Sequence, residues 1–191
     1  MDNKHKIINF LGKNLDESYT MHELSKLLKI PYATFYRTVQ KMYDLLVIKT
    51  VGKSKTIRLN SDNPIIRAHL IVSSDEERKE FLQNQPIIKK IENELSTKEI
   101  VVLFGSYAKK TQHERSDIDM LIINKEGNKS ISFSKYELLF KKSINSIFVT
   151  KKEFELMLKD KEENVGKQAL KSHVILNNPE EFWGCVLNAI R

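Results

Sequence analysis

The side chains best suited to chemistry lie in residues 100–123, IVVLFGSYAKKTQHERSDIDMLII. An apolar run ends at Gly105-Ser106, and after ten further residues Asp117 and Asp119 precede a second apolar run. This pattern predicts a strand, a small turn, a polar helix and a second strand with acidic residues at its start. Alternate side chains of a strand share one face, so the two aspartates are expected to project together, away from the isoleucine between them.

These residue types suit phosphoryl chemistry. Two neighbouring carboxylates repel each other, and a hard divalent cation such as Mg²⁺, which takes oxygen ligands from carboxylates and substrate phosphates, is a natural counter-charge. Gly105 lets the backbone approach a ligand closely. Ser106 is predicted to cap the following helix, with its hydroxyl and the first free amides facing a phosphate chain. A metal beside a phosphate-binding turn can bridge phosphate oxygens and neutralise developing charge.

The polar helix predicted after Ser106 carries several basic side chains. Lys109 and Arg115 are the predicted nucleotide contacts, because lysine is a compact charge and arginine a bidentate fork. Lys110 and His113 lie in the same stretch. A solvated helix face is the alternative for each of these residues, and Tyr107 either stacks on a base or packs in the core.

The spacing of Gly105-Ser106 and Asp117-Ile118-Asp119 resembles the signature of the polymerase-beta-type nucleotidyltransferase superfamily. Over roughly residues 86 to 160, the chain resembles its minimal members. The resemblance implies that Asp117 and Asp119 are catalytic and hold Mg²⁺, as one ion or two, while Gly105 and Ser106 grip a nucleoside triphosphate. The implied reaction transfers a nucleoside monophosphate, with ATP the default donor, to an acceptor hydroxyl and releases pyrophosphate. Because minimal nucleotidyltransferases include antitoxins that modify a partner toxin, a protein acceptor is among the implied partners.

Active members of that superfamily use a third carboxylate on a later strand. The next strand is predicted at residues 144–149, where Asn145 or Ser146 would face the site, and neither can act as a base. Other carboxylates nearby lack the expected spacing: Glu137, Glu153 and Glu155. The sequence leaves two functions open, a magnesium-dependent nucleotidyltransferase and a regulator that binds nucleotide without turnover.

Residues 1 to about 60 show short helices followed by a hairpin. Thr20 and Glu23 form a capping-box pattern, Pro31 precedes a third helix, and two alternating strands surround a basic tip at residues 52–55. The segment LSKLLKIPYATFYRTVQKMYDLLVIKT resembles the winged helix-turn-helix modules of prokaryotic transcription regulators, over roughly residues 4 to 60.

By that second resemblance, the third helix enters the major groove of double-stranded DNA and the hairpin tip meets phosphates. Eleven Lys and Arg against six Asp and Glu over residues 1–62 place most of the chain's +7 charge in this module. A protein-protein or dimerisation module is the alternative, and a homodimer stays open. The predicted DNA-binding residues are Thr34, Tyr36, Arg37, Gln40, Lys41, Lys53 and Lys55.

At 191 residues the chain can hold two small domains. The prediction is a mixed α/β (α+β) chain with a winged helix-turn-helix at 1–62, a helical arm at 63–85 interrupted at Ser73-Ser74, and a nucleotidyltransferase domain at 86–191. That domain is expected to have a small mixed sheet flanked by helices, with residues 164–176 among its C-terminal helices.

Composition predicts a cytoplasmic globular protein without a membrane span, since 30% of residues are charged and no apolar run approaches the roughly 20 residues that cross a bilayer. The five histidines lack paired metal spacing. Cys185 is the lone cysteine, so neither a structural zinc site nor a disulfide within the chain is expected.

Overall fold

The computed structural model describes residues 1–52 and 54–190. Lys53, one of the predicted DNA contacts, lies outside the described residues. The chain divides into two compact units, Met1–Ser73 and Ser74–Arg191. The division falls within the segment predicted as a connecting arm, inside α4 (Ile66–Gln83).

The N-terminal unit combines short helices with a three-stranded antiparallel sheet of order β1-β3-β2. The helices and the hairpin occur in the order that the sequence predicts. The hairpin turn is shorter than predicted, because the second strand already begins at Ser54. In chain order the elements are α1 (Asn3–Lys13), β1 (Tyr19–Thr20), α2 (Met21–Leu27), α3 (Tyr32–Lys41), a 3₁₀ turn (Tyr43–Leu45), β2 (Leu46–Val51) and β3 (Ser54–Leu59).

Local sequence signals set the helices of this unit. The Thr20 hydroxyl accepts the backbone N–H of Glu23, and the Glu23 carboxylate accepts the backbone N–H of Thr20, so the predicted capping box at the start of α2 is confirmed. On α3, Phe35 and Val39 are fully buried at helical spacing. Because Phe35 and Val39 face the core, the opposite side of α3 faces solvent.

The C-terminal unit is built on a four-stranded mixed sheet of order β6-β5-β4-β7. β5 runs parallel to β6, and β4 runs antiparallel to both β5 and β7. Helices flank this sheet, as the sequence predicts. The elements are α5 (Pro86–Asn93), β4 (Ile100–Phe104), α6 (Gly105–Ala108), β5 (Ile118–Asn124), α7 (Ser134–Phe140), β6 (Ile144–Thr150), α8 (Lys151–Lys159), α9 (Val165–Lys171), β7 (Val174–Asn177) and α10 (Pro179–Ala189).

The core of this unit lies on the central strands. All five residues of β4 are buried, which is the pattern of a strand covered on both faces. On β5, Ile118, Met120 and Ile122 are fully buried against the helices. Each such side chain stabilises the fold by about 1.5–3 kcal/mol relative to exposure, so the strand that carries the acidic residues is firmly anchored.

The predicted interruption of the helical arm at Ser73-Ser74 is wrong, because α4 continues through both serines. The Ser73 hydroxyl donates to the carbonyl of Leu70, and the Ser74 hydroxyl accepts the indole N–H of Trp183 at 2.9 Å. Both serines are buried, and these hydrogen bonds satisfy their hydroxyls inside a regular helix.

The predicted helix over residues 164–176 is also wrong in its second half. α9 ends at Lys171, and β7 (Val174–Asn177) pairs antiparallel with β4. The β-branched pair at 174–175 suits a strand, and pairing with the open edge of β4 decides between the two conformations.

Within residues 1–52 and 54–190, no helix combines the length and the apolar character needed to cross a bilayer.

Candidate active site

Asp119 lies where three strands come together at one end of the sheet. On β5 it pairs with Phe104, the last residue of β4, and with Asn145, the second residue of β6. Because β4 is antiparallel to the other two strands, its C-terminal end meets their N-terminal ends. The turn that follows β4, the acidic start of β5 and the start of β6 therefore share one end of the sheet.

The turn after β4 is in direct contact with Asp119. Gly105 has a φ of +70°, and a Cβ atom at this position would overlap Oδ2 of Asp119 and lie 3.0 Å from its Cγ. A side chain here would have to displace the Asp119 carboxylate, and the left-handed backbone itself favours glycine. The turn and the acid predicted from the motif are thus neighbours in space.

Asp117 lies one residue before β5, so the strand begins one residue later than predicted. Ile118 is fully buried, whereas Asp117 is exposed and Asp119 is half-buried. This alternation is the pattern expected of two carboxylates that share the face opposite Ile118.

The strand predicted at residues 144–149 is confirmed as β6, and the structure separates the two candidates for its site-facing residue. Asn145 pairs with Asp119, while Ser146 pairs with the buried Met120. The Asn145 side-chain amide donates a hydrogen bond to Oδ1 of Asp119 at 3.2 Å. Asn145 therefore lies beside Asp119, on the strand where active members of the superfamily carry a third carboxylate. Its amide cannot remove a proton from an acceptor.

The other carboxylates named from the sequence have different roles. The Glu137 carboxylate accepts the backbone N–H of Ile144 at 3.0 Å and so holds the start of β6. Glu153 forms a capping box with Thr150 at the start of α8, and hydrogen bonds from the Thr150 backbone and hydroxyl lower the pKa of its carboxyl. Glu153 and Glu155 follow the far end of β6, roughly 20 Å from the site for a strand of this length.

The helix predicted to carry the basic residues is much shorter than expected. α6 spans only four residues, and Lys110, with a φ of +57°, adopts the left-handed conformation just beyond it. The predicted capping role of Ser106 is wrong, because the N-cap position is Phe104 and no side chain caps the helix.

Lys109 and Arg115 are therefore exposed on the connection to β5 rather than on a helix face. A local turn orders this connection: the Ser116 hydroxyl accepts the backbone N–H of His113 at 3.0 Å, and His113 Nδ1 accepts the backbone N–H of Arg115.

Several predicted site groups are available to a ligand. Within the described part of the chain, the side chains of Ser106, Lys109, Arg115 and Asp117 make no hydrogen bond or ion pair with another residue. Tyr107, in contrast, is 4% exposed and belongs to the core, so the packing alternative is correct for it. The available groups include a carboxylate, which can bind a metal ion, and two cations, which can bind phosphate.

The donor set at this end of the sheet suits Mg²⁺. Magnesium in proteins is usually bound through one or two carboxylates together with substrate phosphates and water. Asp117 and Asp119 supply that number. No group of three or more His, Cys, Asp or Glu side chains among residues 1–52 and 54–190 is arranged to hold a metal. Substrate oxygens and water would complete the coordination shell.

Apart from Lys53, which lies outside the described residues, the predicted DNA-binding residues of the N-terminal unit lie on α3 and β3. On α3, Thr34 is half-buried, while Tyr36, Arg37, Gln40 and Lys41 are exposed. The exposed Lys55 lies on β3, opposite Thr50 of β2. A cavity of about 350 Å³ is lined by residues of α3 and of this hairpin, including Tyr32, Tyr36, Ser54 and Lys55.

Residues 87–181 match the family model described as polymerase beta, nucleotidyltransferase. The matched segment contains all four strands of the mixed sheet, the Gly105-Ser106 turn and both aspartates. No curated protein and no solved structure matches the chain. The family match supports a nucleotidyltransferase domain of the polymerase beta kind in the C-terminal unit.

Proposed function

We propose that the C-terminal unit transfers a nucleoside monophosphate from a nucleoside triphosphate, by default ATP, to an acceptor hydroxyl in a magnesium-dependent reaction. The observation that carries this proposal is the contact between Gly105 and the Asp119 carboxylate. The contact supports the proposal because a glycine turn, which lets a ligand approach the backbone closely, lies directly beside the carboxylate proposed to bind the metal, and the family match over residues 87–181 agrees with it.

In the proposed reaction each residue has a defined part. Asp117 and Asp119 hold Mg²⁺, and Gly105 and Ser106 bind the phosphate chain through the backbone and the free hydroxyl. When bound, the metal would neutralise charge on the phosphate oxygens as pyrophosphate leaves. Among the basic residues, Lys109 and Arg115 are exposed and free to move onto the triphosphate.

Asn145 limits the metal content and the base chemistry of the site. With two carboxylates and one amide, we propose a single Mg²⁺ ion that arrives with the nucleotide, because a second ion would need further anionic ligands. The acceptor hydroxyl would then react without a base from β6. Because Asn145 supplies no base, it also favours the second candidate function, a regulator whose nucleotidyltransferase domain binds nucleotide without turnover.

We further propose that residues 1–62 form a winged helix-turn-helix that binds double-stranded DNA, followed by an arm at 63–85. Of the predicted contacts, Tyr36 on α3 and Lys55 on the hairpin line one shared cavity, and Arg37, Gln40 and Lys41 are exposed on the same helix, which supports a surface that contacts the major groove and adjacent phosphates. In the regulator alternative, such a fusion would couple nucleotide binding in the C-terminal unit to DNA binding in the same chain, as a transcription regulator requires.

Nucleotide binding tests the proposed site before any acceptor is known. We expect calorimetry to detect ATP binding that requires Mg²⁺, and Asp119→Asn to abolish it while DNA affinity stays unchanged. Magnesium-independent ATP binding, or binding that survives in both Asp117→Asn and Asp119→Asn, would contradict the proposed metal site. Loss of DNA and ATP binding together would show that the substitution unfolds the chain.

A further inference from the structure

Two neighbouring leucines of α7 are strongly exposed. Leu138 is 81% exposed and Leu139 is 61% exposed. The helix packs through another side, since Tyr136 is 4% exposed in the core and Phe140 packs partly buried against it. Single exposed apolar residues are ordinary, but two adjacent leucines on a short helix form a patch that the described fold does not use.

The helix that carries this patch borders the candidate active site on two sides. The Glu137 carboxylate, from the middle of α7, holds the backbone N–H of Ile144, the neighbour of Asn145. The Lys142 ammonium, just after the helix, donates to the backbone carbonyl of Glu114 in the connection that leads to Asp117. A macromolecule seated on α7 would therefore lie next to the acidic end of the sheet.

Two cations follow the leucines closely in the chain. Residues 125–143 contain five lysines and two glutamates, of which Lys125 and Lys135 are ion-paired with Glu126 and Glu94, while among the described residues Lys141 and Lys142 have no carboxylate partner. The Glu137 carboxylate is engaged by Ile144. An apolar patch rimmed by cations is complementary to an acidic amphipathic surface. A second copy of this chain would bring the same lysines, so like-charge repulsion disfavours self-association there.

We propose that Leu138 and Leu139, with the cation of Lys141, form a docking surface for an acidic amphipathic segment of the protein that accepts the nucleotidyl group. The proposal rests on the proposed function and specifies a protein as the acceptor. A hydroxyl oxygen of the docked protein forms the new bond to the α-phosphorus, the bond between the α-phosphorus and the bridging oxygen to the β-phosphate breaks, and pyrophosphate leaves. The hydroxyl proton passes to solvent.

Docking is tested with a defined probe. The probe is a fluorescein-labelled synthetic amphipathic helix with leucines on one face and glutamates on the other, titrated with the full chain. We expect the double substitution Leu138→Ser/Leu139→Ser to weaken binding about tenfold or more, because two leucines lose their apolar contact. Leu156→Ser is the matched control, since Leu156 is 57% exposed on α8, beyond the far end of β6, and should bind the probe like the wild type.

The outcomes of this titration decide the proposal. Unchanged probe binding by the double variant overturns it, as does equal binding of a probe with lysines in place of the glutamates. A dimer of the wild type that sedimentation shows to dissociate in the double variant also overturns it, because the patch would then join two copies of this chain.

A transfer assay links docking to the reaction. With ATP labelled at the α-phosphate and Mg²⁺, the double variant should raise the KM for a labelled protein acceptor about tenfold and leave ATP affinity unchanged. A non-protein acceptor, or a loss of ATP affinity in the double variant, contradicts the proposal. If the wild type transfers no label, the proposed activity fails, and the probe titration still decides whether the docking surface exists.

Discussion

The side-chain amide of Asn145 donates a hydrogen bond to Oδ1 of Asp119 across 3.2 Å, between residues that pair directly on parallel strands. This contact defines the chemical character of the site. The amide supplies a donor to the carboxylate that we propose binds the metal, whereas a carboxylate at position 145 would add a third negative charge and a base.

Asn145→Asp is expected to change metal binding and turnover in the same direction. A carboxylate beside Asp119 repels it without metal and shares a cation with it, so Mg²⁺ affinity should rise and the metal-free variant should be less stable. If lack of a base limits the reaction, label transfer should increase about a hundredfold or more. The checks are metal titration, thermal unfolding with and without Mg²⁺, and the transfer rate.

The control for this substitution is Ser146→Asp, on the adjacent residue that pairs with Met120. It adds the same charge on a strand position that does not pair with an acid, and should leave Mg²⁺ affinity near the wild-type value. Equal effects of the two substitutions would show that position 145 has no special relation to Asp119.

Gly105→Ala should disable the site through a steric contact. Its Cβ would meet the Asp119 carboxylate, and the residue would have to keep a φ of +70°. We expect a loss of about 1–3 kcal/mol in unfolding free energy together with loss of magnesium-dependent ATP binding.

Gly52→Ala provides the matched comparison. Gly52 has a φ of +60°, but among the described residues no heavy atom beyond its chain neighbours lies within 4 Å of the position its Cβ would take. Urea unfolding should show a cost of about 1 kcal/mol or less from backbone strain, with ATP binding intact. Normal ATP affinity in Gly105→Ala would contradict the role assigned to the contact with Asp119.

In the N-terminal unit, Arg37→Ala should weaken binding to double-stranded DNA. Arg37 is exposed on α3, and its Nε donates only locally, to the carbonyl of Ala33. Loss of a phosphate contact should reduce the salt dependence of binding by about one ion, and loss of a base contact should cost about 1–3 kcal/mol. The control is Lys6→Ala, which removes an exposed charge on α1 and should change DNA affinity little. Fluorescence anisotropy over a salt series compares the two variants.

The acid stability of the C-terminal unit should depend on Glu94. Hydrogen bonds from Lys135, Lys90 and Tyr136 lower the pKa of its carboxyl from 4.5 to about 2. A depressed pKa in the folded state stabilises the fold above pH 4.5, and this contribution disappears as the pH falls from 4.5 towards 2. Glu94→Gln should therefore be less stable than the wild type at pH 7, with the difference shrinking in that window.

Urea midpoints at pH 7, 4 and 2.5 measure this difference. Glu126→Gln is the control. The Glu126 carboxylate is mostly exposed, and at 3.9 Å from the Lys125 ammonium it is too distant for a hydrogen bond. A Glu94 variant that loses stability in parallel with the wild type on acidification would show that this carboxylate does not contribute.

The sequence predicts the site better than the elements around it. Gly105, Asp117 and Asp119 could be recognised because strand alternation and the special backbone of glycine are local properties. The strand over residues 144–149 could be predicted from its β-branched run, but the choice between Asn145 and Ser146 needed the pairing of β6 with β5. The other inferences did not require knowledge of the distant packing partners.

Features that depend on distant residues were not accessible in this way. Ser74 stays in the helix because Trp183, far along the chain, supplies a hydrogen bond. Residues 174–177 form a strand because β4 offers an open edge. α6 ends at Ala108, and the left-handed conformation of Lys110 just beyond it carries no glycine signal in the sequence.

Label transfer is the most direct test of the central claim. Purified protein, Mg²⁺ and each nucleoside triphosphate labelled at the α-phosphate are incubated with an extract of the source organism, and Asp117→Asn is run in parallel. The account predicts a labelled product that requires Mg²⁺ and disappears in the variant. Magnesium-dependent nucleotide binding without any transfer would contradict nucleotidyl transfer and would favour the nucleotide-sensing regulator.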